Sequence, residues 1–247
     1  MTILNSKTVL ITGTNRGLGR ELAISFASKG FNLITVSRHL DVEYLSFLDS
    51  LSEANKVEIK NYYVDLADNQ SLKETLKNIV KENKRIDVLV NNAGIAFGAS
   101  FLMTSIGKLK EVFEINFFAP VIIMQAISRQ MIKQKSGSII NIASVGGLET
   151  NPGYLAYGSS KAALIHASGI LSKEVGPYGV RVNSIAPGLF DTQMGHYKDE
   201  DELEKVISRT SLRRMGSVDE IADMVLFLAS DKSSFITGQT FRVDGGR

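Results

Sequence analysis

The feature that most constrains this chain is an alternation. Short, almost wholly apolar runs are separated by longer stretches with helical spacing, from residue 8 to residue 243. The runs fall at residues 8–11, 33–36, 59–64, 88–90, 139–142, 180–185 and 240–243. Strands that are apolar at every position have both faces buried, which is the pattern of a parallel sheet covered by helices on each side. Parallel neighbours need long crossovers, and right-handed crossovers lead to a doubly wound sheet. The expectation is an α/β fold: one Rossmann-type domain over residues 1–247, with a mostly parallel seven-stranded sheet and helices on both faces.

Between the strands, helices are predicted over residues 17–28, 42–52, 71–81 and 157–175, the last stopping near Gly176-Pro177. A longer helix is predicted over residues 106–134, kinked at Pro120. Ser217-x-x-Glu220 is a capping box opening a helix through Leu228. The rhythm breaks once, at residues 195–214, where Lys198-Asp199-Glu200-Asp201-Glu202 is strongly charged. A solvated helix start explains the charge. The segment also follows a strand end, where long insertions serve as substrate lids, and residues 190–214 are expected to form one.

Composition removes several classes of function. With no cysteine among 247 residues, disulfides, zinc–thiolate sites and thiol nucleophiles are excluded. A net charge of +2 with mixed signs gives no nucleic-acid or membrane-surface partner. The longest apolar run, residues 117–124, is too short for a bilayer, and Met1 to Lys7 carries no apolar signal core. A soluble, cytoplasmic protein is expected. His39, His166 and His196 have no ligand spacing, so no metal site is expected.

Between the first strand and the first helix lies Thr12-Gly13-Thr14-Asn15-Arg16-Gly17-Leu18-Gly19. At such a junction the helix N-terminus and free backbone N–H groups can hold a pyrophosphate. Gly13 permits the tight turn, Gly17 close approach of a cofactor, and Gly19 close packing of helix on strand. The spacing is G-x3-G-x-G rather than G-x-G-x-x-G. NAD-preferring folds carry Asp or Glu at the end of the second strand, whereas this chain has Ser37 followed by Arg38. Arg38 and Arg16 could both reach a 2′-phosphate, which favours NADP(H) over NAD(H). Asp65, after the third strand, is a candidate partner for adenine or a plain strand-end cap.

Tyr157 and Lys161 stand four residues apart, so a helix places them on one face. A phenol has a pKa of about 10, and a neighbouring ammonium favours the phenolate, which suits proton transfer to or from an alcohol. With seven tyrosines in the chain, one such pair arises by chance in about half of comparable sequences. Position adds the weight. Ser144, Asn92, Gly94 and Pro187-Gly188 all fall at strand ends, where ligands bind in a doubly wound sheet, and Tyr157 follows Ser144 into an apolar helix. A Ser144 hydroxyl could steady the reacting oxygen. Asn116 lies in an apolar helical stretch, where a buried amide needs partners; it either satisfies the core or serves the site.

Taken in order, Thr12-Gly13-x3-Gly17-x-Gly19, Asp65-Leu66, Asn91-Asn92-Ala93-Gly94, Asn116, Ser144, Tyr157-x3-Lys161 and Pro187-Gly188-x3-Thr192 resemble the short-chain dehydrogenase/reductase family over essentially the whole chain. The resemblance implies hydride transfer between nicotinamide and a carbonyl or secondary alcohol. It implies Tyr157 as general acid in reduction, and Lys161 lowering the phenol pKa and holding the nicotinamide ribose. Ser144 would bind the substrate oxygen, and Asn116 would position a relay water. Asn92, Ala93 and Gly94 would line the adenosine ribose, and Leu189 and Thr192 would hold the carboxamide. Arg16, Ser37-Arg38 and the ending Gly238-Gln239-x4-Asp244-Gly245-Gly246 are most similar to the β-ketoacyl-[acyl-carrier-protein] reductase group. That similarity implies NADP(H), a homotetramer and a ketone substrate, free or carrier-bound. Two positions depart from the group's pattern. Tyr154-Leu155-Ala156 replaces Gly-Gln-x-Asn ahead of the tyrosine, and Tyr178 stands where a basic residue often meets the acidic carrier. Other substrates of the same family, sugars, polyols or nucleotide-sugars, remain open at this stage. So does a non-catalytic dinucleotide sensor or partner protein.

Overall fold

The computed structural model describes residues 7–39, 41–191 and 200–247, with the side chains of residues 200–202 excepted. The apolar runs form β1 (Thr8–Thr12), β2 (Asn32–Ser37), β3 (Ile59–Tyr63), β4 (Val88–Asn91), β5 (Gly137–Ile142), β6 (Val180–Pro187) and β7 (Thr240–Val243). They pair in the order β3-β2-β1-β4-β5-β6-β7. Every one of these pairs is parallel, so the sheet expected to be mostly parallel is wholly so among the described residues.

The helices are α1 (Gly17–Ser28), α2 (Val42–Asn55), α3 (Asn69–Glu82), α4 (Ile106–Phe113), α5 (Ala119–Gln134), α6 (Leu155–Val175), α7 (Glu200–Ile207) and α8 (Val218–Ala229). They cover both faces of the sheet. Leu22 and Phe26 of α1, Leu51 of α2 and Val225 and Leu228 of α8 join one apolar layer with Val9, Ile11 and Val90. Leu72 and Ile79 of α3, Ile123 and Ile127 of α5 and Leu164 of α6 form the other with Leu10, Ile34 and Leu89. Strand residues alternate between the two layers because successive side chains point to opposite faces. The capping box forms as predicted, with Ser217 N–H donating to Glu220 Oε2 at 2.9 Å.

The predicted 106–134 helix is continuous but not uniform. α4 and α5 are joined by a π turn, Glu114–Phe118, in which Ala119 N–H donates to Glu114 O. Pro120 has no N–H to offer the carbonyl of Asn116 four residues earlier, so the ladder skips a residue there instead of breaking. Ile106–Gln134 is long and apolar enough to cross a bilayer by length and composition, with a mean hydropathy of 1.3 over its most apolar 18 residues, a test that a core helix also passes. Its buried side packs against α3 and α6.

The order of strands reverses between β1 and β4, the parallel central pair from which the chain fills the sheet outwards on either side. The crevice beyond their carboxyl ends is where a doubly wound sheet takes a ligand. All the sequence-predicted site residues within the described regions lie on the strand exits, or on the helices and loops that follow them.

Candidate active site

The glycine turn leaves β1 at Thr12 and enters α1 at Gly17. Gly13 N–H donates to Val36 O at 2.9 Å, tying the turn to the end of β2. A Cβ on Gly19 would lie 2.0 Å from Gly13 O, so only glycine lets the helix fold back this closely. The cap residue Arg16 is extended and makes no side-chain cap, and the first turn of α1 holds no acidic residue. The positive end of this helix is therefore not neutralised by its own side chains, which fits the pyrophosphate of a dinucleotide.

Asn92 stitches β4 to the same turn. Its Nδ2 donates to the Thr12 and Gly13 carbonyls at 2.9 and 3.1 Å, while the backbone N–H groups of Asn92 and Ala93 donate to Thr12 Oγ1 at 3.1 and 3.0 Å. Thr12 is thus an organiser of the site, and its sequence signal is a buried hydroxyl at the last strand position before the glycine. Thr14 and Tyr44 are a second such pair, hydrogen-bonded through their hydroxyls in the interior. Burial raises the Tyr44 pKa.

At the end of β2, Ser37 is buried and its hydroxyl donates to Asn61 Oδ1 at 3.3 Å. The Thr35 hydroxyl donates to the same oxygen at 2.7 Å. Arg38 is exposed and donates from Nε to His39 Nε2 at 2.9 Å. Arg16 and Asn15 stand on the same rim, with Arg16 exposed and Asn15 half-buried. Asp65 caps its own turn, its Oδ1 accepting from Ala67 N–H at 3.0 Å, and Leu66 packs into the second apolar layer. Leu18, next to Gly17, packs against the first layer.

Tyr157 and Lys161 lie on the first turns of α6, with Nζ 6.0 Å from the phenol ring centroid. Ser144 leaves β5 directly below and caps the following turn, its Oγ accepting from Gly146 N–H at 3.1 Å. Burial pushes the Tyr157 pKa above the usual phenol value, and the hydrogen bond with Ser144 pulls in the other direction. Tyr154, whose ring meets Tyr157 edge-on at 6.0 Å, adds to the rise. The balance runs opposite to the expectation of an acidified phenol. The physical reason is desolvation, the largest influence on the phenol, while Lys161 Nζ donates to Ile142 O at 2.8 Å. Its own pKa is lowered to about 8 by burial.

Asn116 reaches this group from the π turn and is fully buried. Its side chain grips the backbone of Ile95, Oδ1 accepting from Ile95 N–H and Nδ2 donating to Ile95 O, both at 2.9 Å. Nδ2 also donates to Ser160 Oγ at 3.1 Å, and Ser160 in turn donates to Tyr157 O at 2.7 Å. The amide is therefore engaged in structural hydrogen bonds, and Ser160, which sequence reading did not single out, links it to the Tyr157 backbone. Gly94 seals the contact, since a Cβ there would lie 3.1 Å from Asn116 Oδ1 and 3.3 Å from Lys161 Nζ.

On the far side, Pro187 ends β6 and Gly188 N–H donates to Val243 O at 2.9 Å. The chain then enters a clasp. Gly216 N–H donates to Leu189 O and Asp191 N–H to Gly216 O, both at 3.0 Å, beside the Phe190–Gly216 bridge. The segment expected to be a lid thus leaves and returns at one point. Thr192, His196, Lys198 and Asp199 lie outside the described residues, as do the side chains of residues 200–202.

Comparison with known proteins agrees with this fold. The family model described as Enoyl-(Acyl carrier protein) reductase matches residues 13–247. The 3-oxoacyl-[acyl-carrier-protein] reductase of Thermotoga maritima is 36% identical over 243 residues, covering 98% of each chain. Among solved structures, a NAD+-bound xylitol dehydrogenase superposes with a TM-score of 0.87 at 28% identity, covering 97% of this chain and 98% of the other. A structure described as ElxO with NADP bound gives 0.88 at 29% identity, with coverage of 97% and 98%. With a glycine turn at an open helix end, and Ser144, Tyr157 and Lys161 gathered at the exit of β5, this chain belongs to the short-chain dehydrogenase/reductase family, oxidoreductases of the alcohol–carbonyl couple.

Proposed function

We propose that this protein is an NADP(H)-dependent ketone reductase whose substrate is a 3-oxoacyl thioester or a related ketone. The observation that carries the reading is the pairing of the Ser144 hydroxyl with the Tyr157 phenol, one helical turn from Lys161, in a chain whose α1 opens on an uncapped N-terminus. When bound, the nicotinamide supplies the hydride. Tyr157 holds the proton that a reduced carbonyl oxygen takes up. Burial keeps that phenol protonated at neutral pH, so the site is set for reduction. Ser144 orients the oxygen. Lys161 would hold the nicotinamide ribose.

Asn116 acts through position. Its amide fixes Ile95 and Ser160, so any relay water towards Lys161 would be held by its backbone carbonyl, which Pro120 leaves without an α-helical donor. The turn from Gly13 to Gly19 would hold the pyrophosphate, and Asn92, Ala93 and Gly94 the adenosine ribose. Asp65 and Leu66 would border the adenine, Pro187, Gly188 and Leu189 the carboxamide, and residues 190–214 would close over the substrate. One neighbour carries NAD+ and another NADP, so the preference rests on charge at Ser37, Arg38 and Arg16. Arg38→Asp is expected to shift the kcat/KM ratio for NADPH over NADH towards NADH by at least about tenfold; an unchanged ratio would overturn the charge argument.

The deciding experiment offers purified protein NADPH with a 3-oxoacyl thioester, an enoyl thioester, and sugar and polyol ketones, and follows cofactor oxidation. Fastest turnover of the 3-oxoacyl thioester is expected. Preference for the enoyl compound would move the reaction to carbon–carbon double bonds, which the family model's description names. Preference for a sugar ketone would favour the polyol reading. Cofactor binding without turnover of any compound would favour a sensor. We place the enzyme in the cytoplasm, on its lack of cysteine, and expect it free of nucleic acid and membrane.

A further inference from the structure

Three parts of the candidate site are distant in sequence: the loop between Ser144 and Tyr157, the segment after α7, and the exit of β6. Residues 242–247 touch all three. Arg242 Nε donates to Asp244 Oδ2 at 2.7 Å, and its Nη2 donates to Glu149 Oε1 at 2.5 Å and to the Arg247 carbonyl at 2.7 Å. Arg247 Nε lies 3.5 Å from Glu149 Oε2. Glu149, in the middle of the Ser144–Tyr157 loop, therefore holds two guanidinium groups at once.

The same few residues then reach the base of the 190–214 segment. Leu212 N–H donates to Gly245 O at 3.0 Å, while Ser211 donates to Gly246 O from its backbone at 3.3 Å and from its hydroxyl at 2.9 Å. Asp244 rests on the β6 exit so tightly that a Cβ on Gly188 would lie 2.7 Å from Asp244 Cβ. Between these contacts is a hollow of about 440 Å³ lined by Leu189, Phe190, Leu212 and Arg242 among others. Apolar packing does not fill this space, so polar ties hold the three segments in register.

We propose that Glu149 and Arg242 are positioning residues that couple the loop carrying Ser144 to the base of the substrate-covering segment. Neither side chain is placed among the reacting groups. An isolated surface ion pair is worth little, but here one carboxylate is shared by two arginines and one arginine by three acceptors. Small displacements of catalytic groups are costly to rate, which gives such a tie its leverage. The kinetic consequence rests on the ketone-reductase reading; the mechanical coupling does not.

The test uses Glu149→Gln, Arg242→Gln and the double variant. Each single change is expected to lower kcat about tenfold with NADPH affinity unchanged, and the double variant to be no worse than either single one. Amide hydrogen exchange is expected to rise at residues 145–153 and also at 208–216 in Glu149→Gln, although that substitution touches only the first stretch. Additive kinetic losses, unchanged exchange at 208–216, or exchange raised evenly over the whole chain would each overturn the coupling. If the unaltered protein reduces no carbonyl compound, the ketone-reductase reading fails on its own, and the exchange measurement still decides the coupling.

Discussion

At the scale of the residue, the site turns on two buried titratable groups with opposite consequences. Tyr157 is held protonated by burial, so removing its hydroxyl removes the proton together with the hydrogen bond to Ser144. Tyr157→Phe is expected to lower kcat by about 10²–10⁴ while leaving NADPH affinity nearly unchanged. Retention of full activity would dismiss the phenol as the acid. Lys161 is different, because its charge is buried with no carboxylate among its described partners. Its pKa falls from 10.5 unfolded to about 8 folded. Below about 8 both states carry the proton and the cost of burying the charge is complete. Between about 8 and 10.5 only the unfolded chain keeps it, so stability rises with pH across that window. Lys161→Met should therefore abolish turnover yet melt higher than the parent at pH 7, with the gap closing as pH rises through the window. A variant that melts lower at pH 7 would show that the Ile142 contact outweighs the desolvation. Tyr157 and Lys161 could be picked from the sequence by spacing. That both are governed by desolvation could not, because their surroundings come from β5, α6 and the π turn together.

At the scale of the element, the helix between residues 106 and 134 shows how far sequence reading goes. Its length and its proline were legible, since apolar periodicity and the missing N–H are local properties. The π turn was read as a kink, because whether a helix bends or inserts a residue depends on what its freed groups meet. Asn116 meets Ile95, twenty-one positions away, and Ser160, forty-four away. Such partners come from tertiary packing and leave no periodic trace. The same holds for Asn92 on Thr12 and for Ser37 on Asn61, which require the β1–β4 crossing and the β2–β3 register. Sequence reading thus identified Asn116, Asn92 and Ser37 but neither their assignments nor partners such as Ser160 and Asn61. If the Asn116 amide is a structural grip, Asn116→Leu should cost about 1–3 kcal/mol of stability by leaving Ile95 N–H and O buried and unpaired. Cofactor affinity should fall with it, since Ile95 adjoins Gly94. Urea unfolding and NADPH titration of this variant measure both. Parental stability with lost turnover would instead assign the amide directly to the chemistry.

At the scale of the molecule, the alternation of apolar runs and helices sufficed for the sheet because each βα unit repeats one local rule. The crevice beside β1 and β4 followed from that topology before any side chain was placed. Assembly is a separate matter, because it depends on which apolar groups the fold leaves uncovered. Phe101, Leu102, Met103 and Ile106 keep 71%, 93%, 78% and 66% of their surface exposed and sit together at the start of the long helix. Sequence reading began the long helix at Ile106 and singled out none of Phe101, Leu102 and Met103, because nothing local marked them as uncovered. Scattered exposed hydrophobics are ordinary, but four large ones within residues 101–106 point to an interaction surface. We propose that it is covered by other copies of the chain in a homotetramer. Light scattering of the parent protein should give four times the 27.0 kDa chain mass. Leu102→Glu with Met103→Glu places two charges where an apolar contact would be buried, so the pair should dissociate the assembly. Because these side chains lie on the surface, the isolated fold should be preserved, with an unchanged far-ultraviolet circular dichroism spectrum. A parent protein that is monomeric at micromolar concentration would overturn the tetramer. A charged variant that remains tetrameric would move the contact to another face, for which the exposed Phe235 near β7 is the next apolar group to test.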